Sequence, residues 1–206
     1  MSNLLQISNG VKRTFDFVSA LIGLTLVSPL LLVISFLIKR SSKGPVFFRG
    51  LRVGKNRKEF RIFKFRTMVI DAEKLGGPST AADDPRLTKI GKFLRKYNLD
   101  ELPQLINVLS GEMSIVGPRP EVPQEVDTFE ENVRKIILSV RPGMTDLATL
   151  ENIHEEEVLK GSENPHLTYQ KLIKPKKLKL AMEYVNTRSF LLDLKIIFRT
   201  IRLAIF

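Results

Sequence analysis

Between Asp16 and Lys39 the chain carries 22 consecutive uncharged residues, Phe17 to Ile38, and no other feature of its 206 residues restricts the fold as strongly. As one α-helix the run is about 33 Å long at ~1.5 Å per residue, enough to cross a hydrocarbon core of about 30 Å. It is not a cleavable signal peptide, because no small-residue cleavage pattern follows Ile38 and basic residues crowd the C-terminal side. Near its centre, Pro29 removes one backbone donor and crowds the preceding turn. Ser28 is pushed away from the helical region while offering a hydroxyl to the freed carbonyl, so a bend is expected here. Lys12 and Arg13 precede the run and Lys39, Arg40 and Lys43 follow it. The preference of Lys and Arg for the cytoplasmic side therefore draws both ends to the same face. Two half-helices of about 11 residues, each ~17 Å long, would reach only partway into the core. A kinked single span and a re-entrant hairpin both satisfy these facts.

The formal net charge of +11 is concentrated beside this run: residues 39 to 66 hold eleven Lys and Arg against Glu59 alone. A basic block confined to the edge of an apolar segment fits a phospholipid membrane better than nucleic acid. The chain has no Cys, which excludes disulfides and thiolate metal sites and is compatible with a reducing cytoplasm. Only His154 and His166 are present, without a spaced pair, which argues against zinc. The length suits one ordinary domain plus an anchor, with residues 1–40 as the anchor and 41–206 as the globular unit.

Beyond the basic edge, "PVFFRGLRV" and "EFRIFKFRTM" flank "GKNRK", two aromatic and β-branched arms around a turn, which predicts a β-hairpin. Alternation in the second arm places Phe60, Ile62, Lys64 and Arg66 on one face. Residues 71–84 read as loop, broken by "GGPST" and "ADDP". From Arg86 to Tyr97 the pattern is a basic amphipathic helix with Leu87, Ile90, Phe93, Leu94 and Tyr97 in a stripe. The C-terminal "RSFLLDLKIIFRTIRLAIF" reads as a helix lying at an interface or as a buried terminal helix. The fold class expected is α+β and mainly helical.

Candidate chemistry falls in "NLDELPQLINVLSGEMSIVGPRP", residues 98 to 120. Asn98 and Glu101 have capping-box spacing, and a helix N-terminus would favour both Asp100 and Glu101 as carboxylates. An ionised Asp100 is also what a carboxylate nucleophile or a Mg²⁺ ligand requires, so the two readings coexist. "VGPRP" sets Arg119 between two prolines, and "VRPGMT" sets Arg141 before Pro142 and Gly143, each able to stiffen a guanidinium for anion binding. Neither a P-loop nor a Gly-x-Gly-x-x-Gly fingerprint is present.

Taken in order, "RTFDFVSALIGLTLVSPLLL", "FRIFKFRTM", "DPRLTKIGKFLRKYNLDELPQLINVLSGEMSIVGPRP", "VRPGMT" and "YVNTRSFLLDLKIIFRTI" resemble the bacterial sugar transferase family of small monotopic phosphoglycosyl transferases. The likeness covers nearly the whole chain and is to the minimal catalytic form, starting at the membrane segment. It implies transfer of a phospho-sugar from a UDP-sugar donor to a polyprenyl phosphate acceptor at the cytoplasmic membrane face. UMP is released, Mg²⁺ is the cofactor and an aspartyl phospho-sugar is the intermediate. By the same likeness Asp100 is the nucleophile and a metal contact, and Glu101 is its partner in the catalytic dyad and the base that prepares the acceptor. Lys64, Arg95, Arg119, Arg141 and Asp193 are implied substrate-binding positions, and Arg66, on the Lys64 face of the predicted strand, is a further substrate-binding candidate. The apolar run is implied to be a re-entrant helix broken at Ser28 and Pro29.

One departure stands out: Asp146 follows Thr145 where many members have Gly, and residues 147–165 differ from the commoner pattern, which leaves the sugar open. A non-catalytic membrane scaffold of glycan assembly, with Asp100 only a helix cap, is the alternative. A nucleic-acid binder is disfavoured, since aromatic platforms and a recognition-helix pattern are absent. The sequence is compatible with a homodimer.

Overall fold

The computed structural model describes residues 9–75, 80–151 and 155–205. His154 and most of the "GGPST" segment lie outside the described residues. Helix α1, Asn9–Ser41, contains the whole apolar run and is the one described helix long and apolar enough to cross a membrane. The expected division into two half-helices does not interrupt it: α1 continues through Ser28 and Pro29. The missing Pro29 donor frees the carbonyl of Thr25, and Ser28 Oγ donates to that oxygen at 2.8 Å. A local hydroxyl thus satisfies the carbonyl that Pro29 leaves open.

α1 is apolar on every side, yet one face only meets protein. Asp16, Ala20, Ile34 and Ile38 are buried and Leu24, Val27 and Leu31 half-buried, a spacing of three to four residues that keeps one stripe against the domain from end to end. Ala20, Leu24 and Val27 pack with Phe60, Ile62, Leu105, Val108 and Met113, whereas Leu31, Ile34 and Ile38 pack with Phe65, Leu94 and Ile90. The opposite face shows Leu26 at 75% and Leu32 at 72% exposure. An apolar face of this extent marks a surface made for lipid or protein rather than water.

The predicted hairpin forms, in two pieces. Strand β1, Phe47–Phe48, pairs antiparallel with β4, Lys64–Phe65, and β2, Leu51–Val53, pairs with β3, Glu59–Arg61. A tight turn at Lys55–Arg57 closes it, with Asn56 and Arg57 both at positive φ. Part of the expected 71–84 loop is a short helix α2, Ala72–Leu75. α3, Lys89–Lys96, begins at Thr88, whose hydroxyl accepts from Gly91 N at 2.9 Å. Of its predicted stripe, Leu87 and Leu94 are buried, but Phe93 and Tyr97 are exposed and lie against each other, ring centroids 5.0 Å apart.

A 3₁₀ helix over Leu99–Gln104 leads into α4, Leu105–Leu109, then β5, Ser114–Val116. Arg13 of α1 donates to the carbonyls of Val108 and Leu109 at 2.6 and 2.8 Å, placing a cation on the negative end of α4. Short helices α5, Pro123–Asp127, and α6, Glu131–Ile137, precede β6, Gly143–Thr145. β6 pairs parallel with β5, Ser114 opposite Gly143 and Val116 opposite Thr145, so "SIVGPRP" and "VRPGMT" run side by side. Gly143 backs directly onto the Gly117 backbone, and a Cβ there would overlap it. Gly143→Ala should therefore cost about 2 kcal/mol or more, read as a lowered thermal midpoint, because backbone on both sides leaves no flexible side chain to give way. A melting curve matching wild type would contradict this packing.

The chain then continues through α7, Leu147–Glu151, α8, Glu155–Val158, and α9, Pro165–Thr168, followed by a π-helical turn at Tyr169–Ile173. Helices α10, Lys174–Thr187, and α11, Phe190–Ile205, complete it. α11 buries Asp193 and Ile196 and exposes Leu191 and Phe198, as an interfacial helix would. Phe190 of α11 meets Phe15 of α1 edge-on, centroids 5.1 Å apart, so the exposed apolar faces of the two helices meet at one corner.

Candidate active site

α3 ends at Tyr97, and Asn98 adopts the left-handed conformation with φ 53°. Asn tolerates this region better than other side-chain-bearing residues, so it turns the chain sharply from α3 into the 3₁₀ helix. The capping-box expectation is corrected here: the Asn98 side chain makes no cap hydrogen bond, and its backbone carbonyl accepts Glu101 N instead at 3.2 Å. Glu101 is consequently free to face the hairpin. Lys64 Nζ lies 2.7 Å from Glu101 Oε1, and Arg119 grips the same carboxylate with both terminal nitrogens, Nη1 at 3.3 Å from Oε2 and Nη2 in close contact with Oε1.

The hairpin reaches this position through Asn107, fully buried in the "LINVL" run. Its Oδ1 accepts Phe63 N at 2.8 Å, and its Nδ2 donates to Arg61 O at 3.0 Å and Glu112 Oε2 at 2.7 Å. The amide fills the gap between β3 and β4, where the strand ladder is interrupted, and so fixes Lys64 opposite Glu101. Sequence reasoning missed it, although a lone Asn inside an otherwise apolar helix is the available signal.

Arg119 is positioned by the β5–β6 pair. Gly117 N donates to Thr145 O at 3.1 Å, Gly143 N to Pro118 O at 2.9 Å, and Arg119 N to Asp146 Oδ2 at 3.2 Å. Asp146, the departure from the commoner pattern, thus holds the backbone of Arg119.

Asp100 is 6% exposed, and no hydrogen bond to its carboxylate occurs among the described residues. Burial pushes its pKa up, partly offset by the charges of Lys64, Arg95 and Arg119 and reinforced by Glu101. The helix terminus therefore does not dominate its ionisation, as had been expected. Arg119 and Lys64 overcome the desolvation of Glu101 and hold that carboxyl well below the ordinary carboxylate range. Burial lowers the Lys64 ammonium, although Glu101 pulls the other way. The two adjacent acids are thus driven apart: Glu101 is a committed anion, and Asp100 is a desolvated group next to three cations. Environments that separate neighbouring titratable groups in this way are characteristic of reactive sites.

Of the expected substrate-binding residues, Lys64, Arg95 and Arg119 act on this dyad, and three do not. β4 ends at Phe65, so the alternation placing Arg66 beside Lys64 stops; Arg66 donates to Ser42 O and Ser42 Oγ, each at 3.0 Å, and to Lys43 O, tying down the exit of α1. Arg141 Nε donates to Gly111 O at 2.8 Å. Asp193, fully buried, pairs with Lys12 at 3.0 Å and accepts from Tyr184 Oη at 2.7 Å. Arg141 and Asp193 line a separate cavity.

This arrangement has close relatives. Residues 7–206 match the family model described as bacterial sugar transferase. The chain is 39% identical over 203 residues to the undecaprenyl-phosphate glucose phosphotransferase of Komagataeibacter xylinus, covering 95% of this chain and 36% of that protein. It is 38% identical over 196 residues to the UDP-N-acetylgalactosamine-undecaprenyl-phosphate N-acetylgalactosaminephosphotransferase of Aeromonas hydrophila, covering 93% and 43%. With the exopolysaccharide production protein PSS of Rhizobium leguminosarum bv. phaseoli it shares 39% identity over 197 residues, 93% of each chain. The chain thus spans about two fifths of the length of the first two relatives and nearly all of the third. A family match extending from before α1 to the last residue, over the Asp100–Glu101 dyad and both Arg-Pro motifs, makes this chain a member of the bacterial sugar transferase family.

Proposed function

We propose that the protein transfers a phospho-sugar from a UDP-sugar to undecaprenyl phosphate at the cytoplasmic face of a bacterial membrane, as the first membrane step of glycan assembly. The observation that carries this reading is Asp100: a desolvated carboxylate without a hydrogen-bond donor among the described residues, beside Lys64, Arg95 and Arg119. Two of the relatives are named for phosphotransfer of a sugar to undecaprenyl phosphate, which agrees with such a site.

Asp100 Oδ attacks the sugar-linked phosphorus of the donor, the diphosphate bridge breaks, and UMP leaves with the bridging oxygen and its electron pair. A phosphate oxygen of the lipid acceptor then attacks the phosphorus of the aspartyl phospho-sugar. That step forms the lipid diphosphate-sugar and returns the Asp100 carboxylate, so two simple displacements replace one difficult encounter. Arg119 and Lys64, held in place by Glu101, lie where negative charge spreads onto the phosphoryl oxygens. Glu101 has the low proton affinity of a doubly paired carboxylate, which suits orientation of these cations better than removal of a proton.

A Mg²⁺ ion fits the residues present. Asp100 offers a hard oxygen with no competing donor, and Mg²⁺ is commonly held by one or two carboxylates plus substrate phosphates. Among the described residues no cluster of three or more metal-ligating side chains exists, so Asp100 would hold the ion together with the donor diphosphate. When bound, it would neutralise developing charge on the diphosphate.

The topology reading keeps both ends of α1 on the same side of the membrane, with Ser28 and Pro29 as the place where the helix bends. α1 touches the domain along its full length, so a span that carried Lys12 away from Ser41 across the bilayer would strip those contacts. A tag placed before Lys12 should therefore be accessible from the same side as one at Lys39 in sealed vesicles, and opposite accessibility would establish a span. The activity itself is tested by UMP release from a panel of UDP-sugars with a polyprenyl phosphate; no release from any donor would end the proposal.

A further inference from the structure

The second cavity, about 40 Å³, lies apart from Asp100 and gathers residues that the transfer reaction leaves unused. Two of its carboxylates are already committed. Asp16, 1% exposed, accepts from Lys12 at 2.7 Å, Ser114 Oγ at 2.8 Å and Ile115 N at 3.2 Å. Asp193 is held by Lys12 and by Tyr184, whose hydroxyl also lies 3.1 Å from Val116 O.

Three further cations line the same cavity without a carboxylate partner among the described residues: Lys55, Arg141 and Arg188. All three are half-buried and come from separate segments. Lys55 stands in the hairpin turn, pinned by Asn56 N donating to Leu138 O at 2.8 Å. Arg141 is aimed by its Nε bond to Gly111 O. Arg188 caps α10 immediately before α11. Cations drawn together and left uncompensated in a partly desolvated hollow repel one another unless an anion joins them.

The surroundings indicate which anion. Two residues beyond Arg188, Phe190 meets Phe15 at the corner where α1 and α11 come together, and Phe17, Val18, Leu191 and Leu194 are exposed on the same two helices. The same two helices that carry these apolar residues supply Lys12, Asp16 and Asp193 to the cavity lining, so a ligand with its charge in the cavity would have apolar surface on both helices for its remainder. We propose that the cavity is a second anion site, separate from Asp100, that seats the phosphate of an acidic membrane phospholipid while its acyl chains lie along α1 and α11. The site anchors the domain at a fixed height in the headgroup layer. It does not rest on the transfer reading, because lipid binding is measured without turnover.

The test is native mass spectrometry of the full chain released from micelles supplemented with phosphatidylglycerol. Wild type should retain one lipid, and the Lys55→Gln, Arg188→Gln double variant should retain about tenfold less, since each lost cation removes a charge-assisted contact to phosphate. The Lys55→Arg, Arg188→Lys variant should retain it as wild type does, as should Arg119→Gln, which alters only the Asp100 site. A thermal shift on adding phosphatidylglycerol, present in wild type and lost in single Lys55→Gln, provides a second reading should the double variant fold poorly. Equal retention in the double variant overturns the proposal. So does displacement of the lipid by millimolar inorganic phosphate, which would make the site a free-phosphate site, or preferential retention of a polyprenyl phosphate, which would make it part of the acceptor path.

Discussion

Replacing Asp100 with Asn is expected to cut UMP release at least about 10³-fold while leaving the thermal midpoint unchanged or higher. Loss of activity follows from loss of the attacking oxygen's charge, which no neighbour can supply, because Glu101 is locked between Lys64 and Arg119. The stability follows from the opposite side of the same chemistry. Burial raises the folded-state pKa of Asp100 above its unfolded value, so the charged carboxylate penalises the folded state at neutral pH, and this penalty shrinks as the pH falls below the raised value and is gone below the unfolded one. Asn removes it at every pH. A reactive group held at a cost to folding is the common stability–activity trade-off. Intact-mass measurement should show a phospho-sugar adduct on wild type given donor alone, and none on Asp100→Asn. Turnover at the wild-type level in the variant would reassign the nucleophile.

Glu101→Gln should lower stability as well as activity. The amide leaves Lys64 and Arg119 facing each other without their shared anion, and breaking a buried pair costs about 3 kcal/mol at the low end of its range. The low end applies because the Arg119 side chain is 34% exposed, while Glu101 and Lys64 are at 16% and 18%. In a chain of this size that is a fall of roughly 6–12 °C in midpoint. Mispositioned cations should reduce kcat by about 10²-fold. The acid dependence has a definite sign. The folded-state pKa of Glu101 lies below its unfolded value, so its contribution is complete above about pH 4.3 and is lost as the pH falls below that. Wild type should therefore lose stability more steeply than Glu101→Gln on acidification below pH ~4.3. Parallel curves would mean that Glu101 is not held by the two cations.

The sequence makes local features legible and distant pairings obscure. Periodicity reads α3, the hairpin and the terminal helix α11 because each announces itself within a short stretch of chain. Ser28 and Pro29 predict their own hydroxyl repair, yet the partners that α1 packs against, Leu105 and Leu94 among them, lie far along the chain. Asn98 reads from the sequence as a cap, whereas in the fold it takes the left-handed turn and leaves Glu101 to face Lys64 and Arg119. Lys64 and Arg66 share a face in an ideal strand, but the two-residue length of β4 separates them. Asp193 enters the expected site only through the likeness to the family, and the structure places it with Lys12 and Tyr184. Its partner Lys12 lies at the opposite end of the chain, a pairing that no local pattern encodes.

The shared core of α1 and α3 has a mechanical consequence. Ile34 and Ile38 interlock with Leu94 and Ile90, one turn from Arg95 and a short step from Asp100. An independent membrane span answers a thicker or thinner bilayer by tilting alone. On the membrane placement proposed above, this helix cannot move without carrying Asp100 and its neighbouring cations with it, so a change in bilayer thickness would shift that site relative to the lipid headgroups. Acyl-chain length in the host membrane is then expected to change UMP release as well as anchoring.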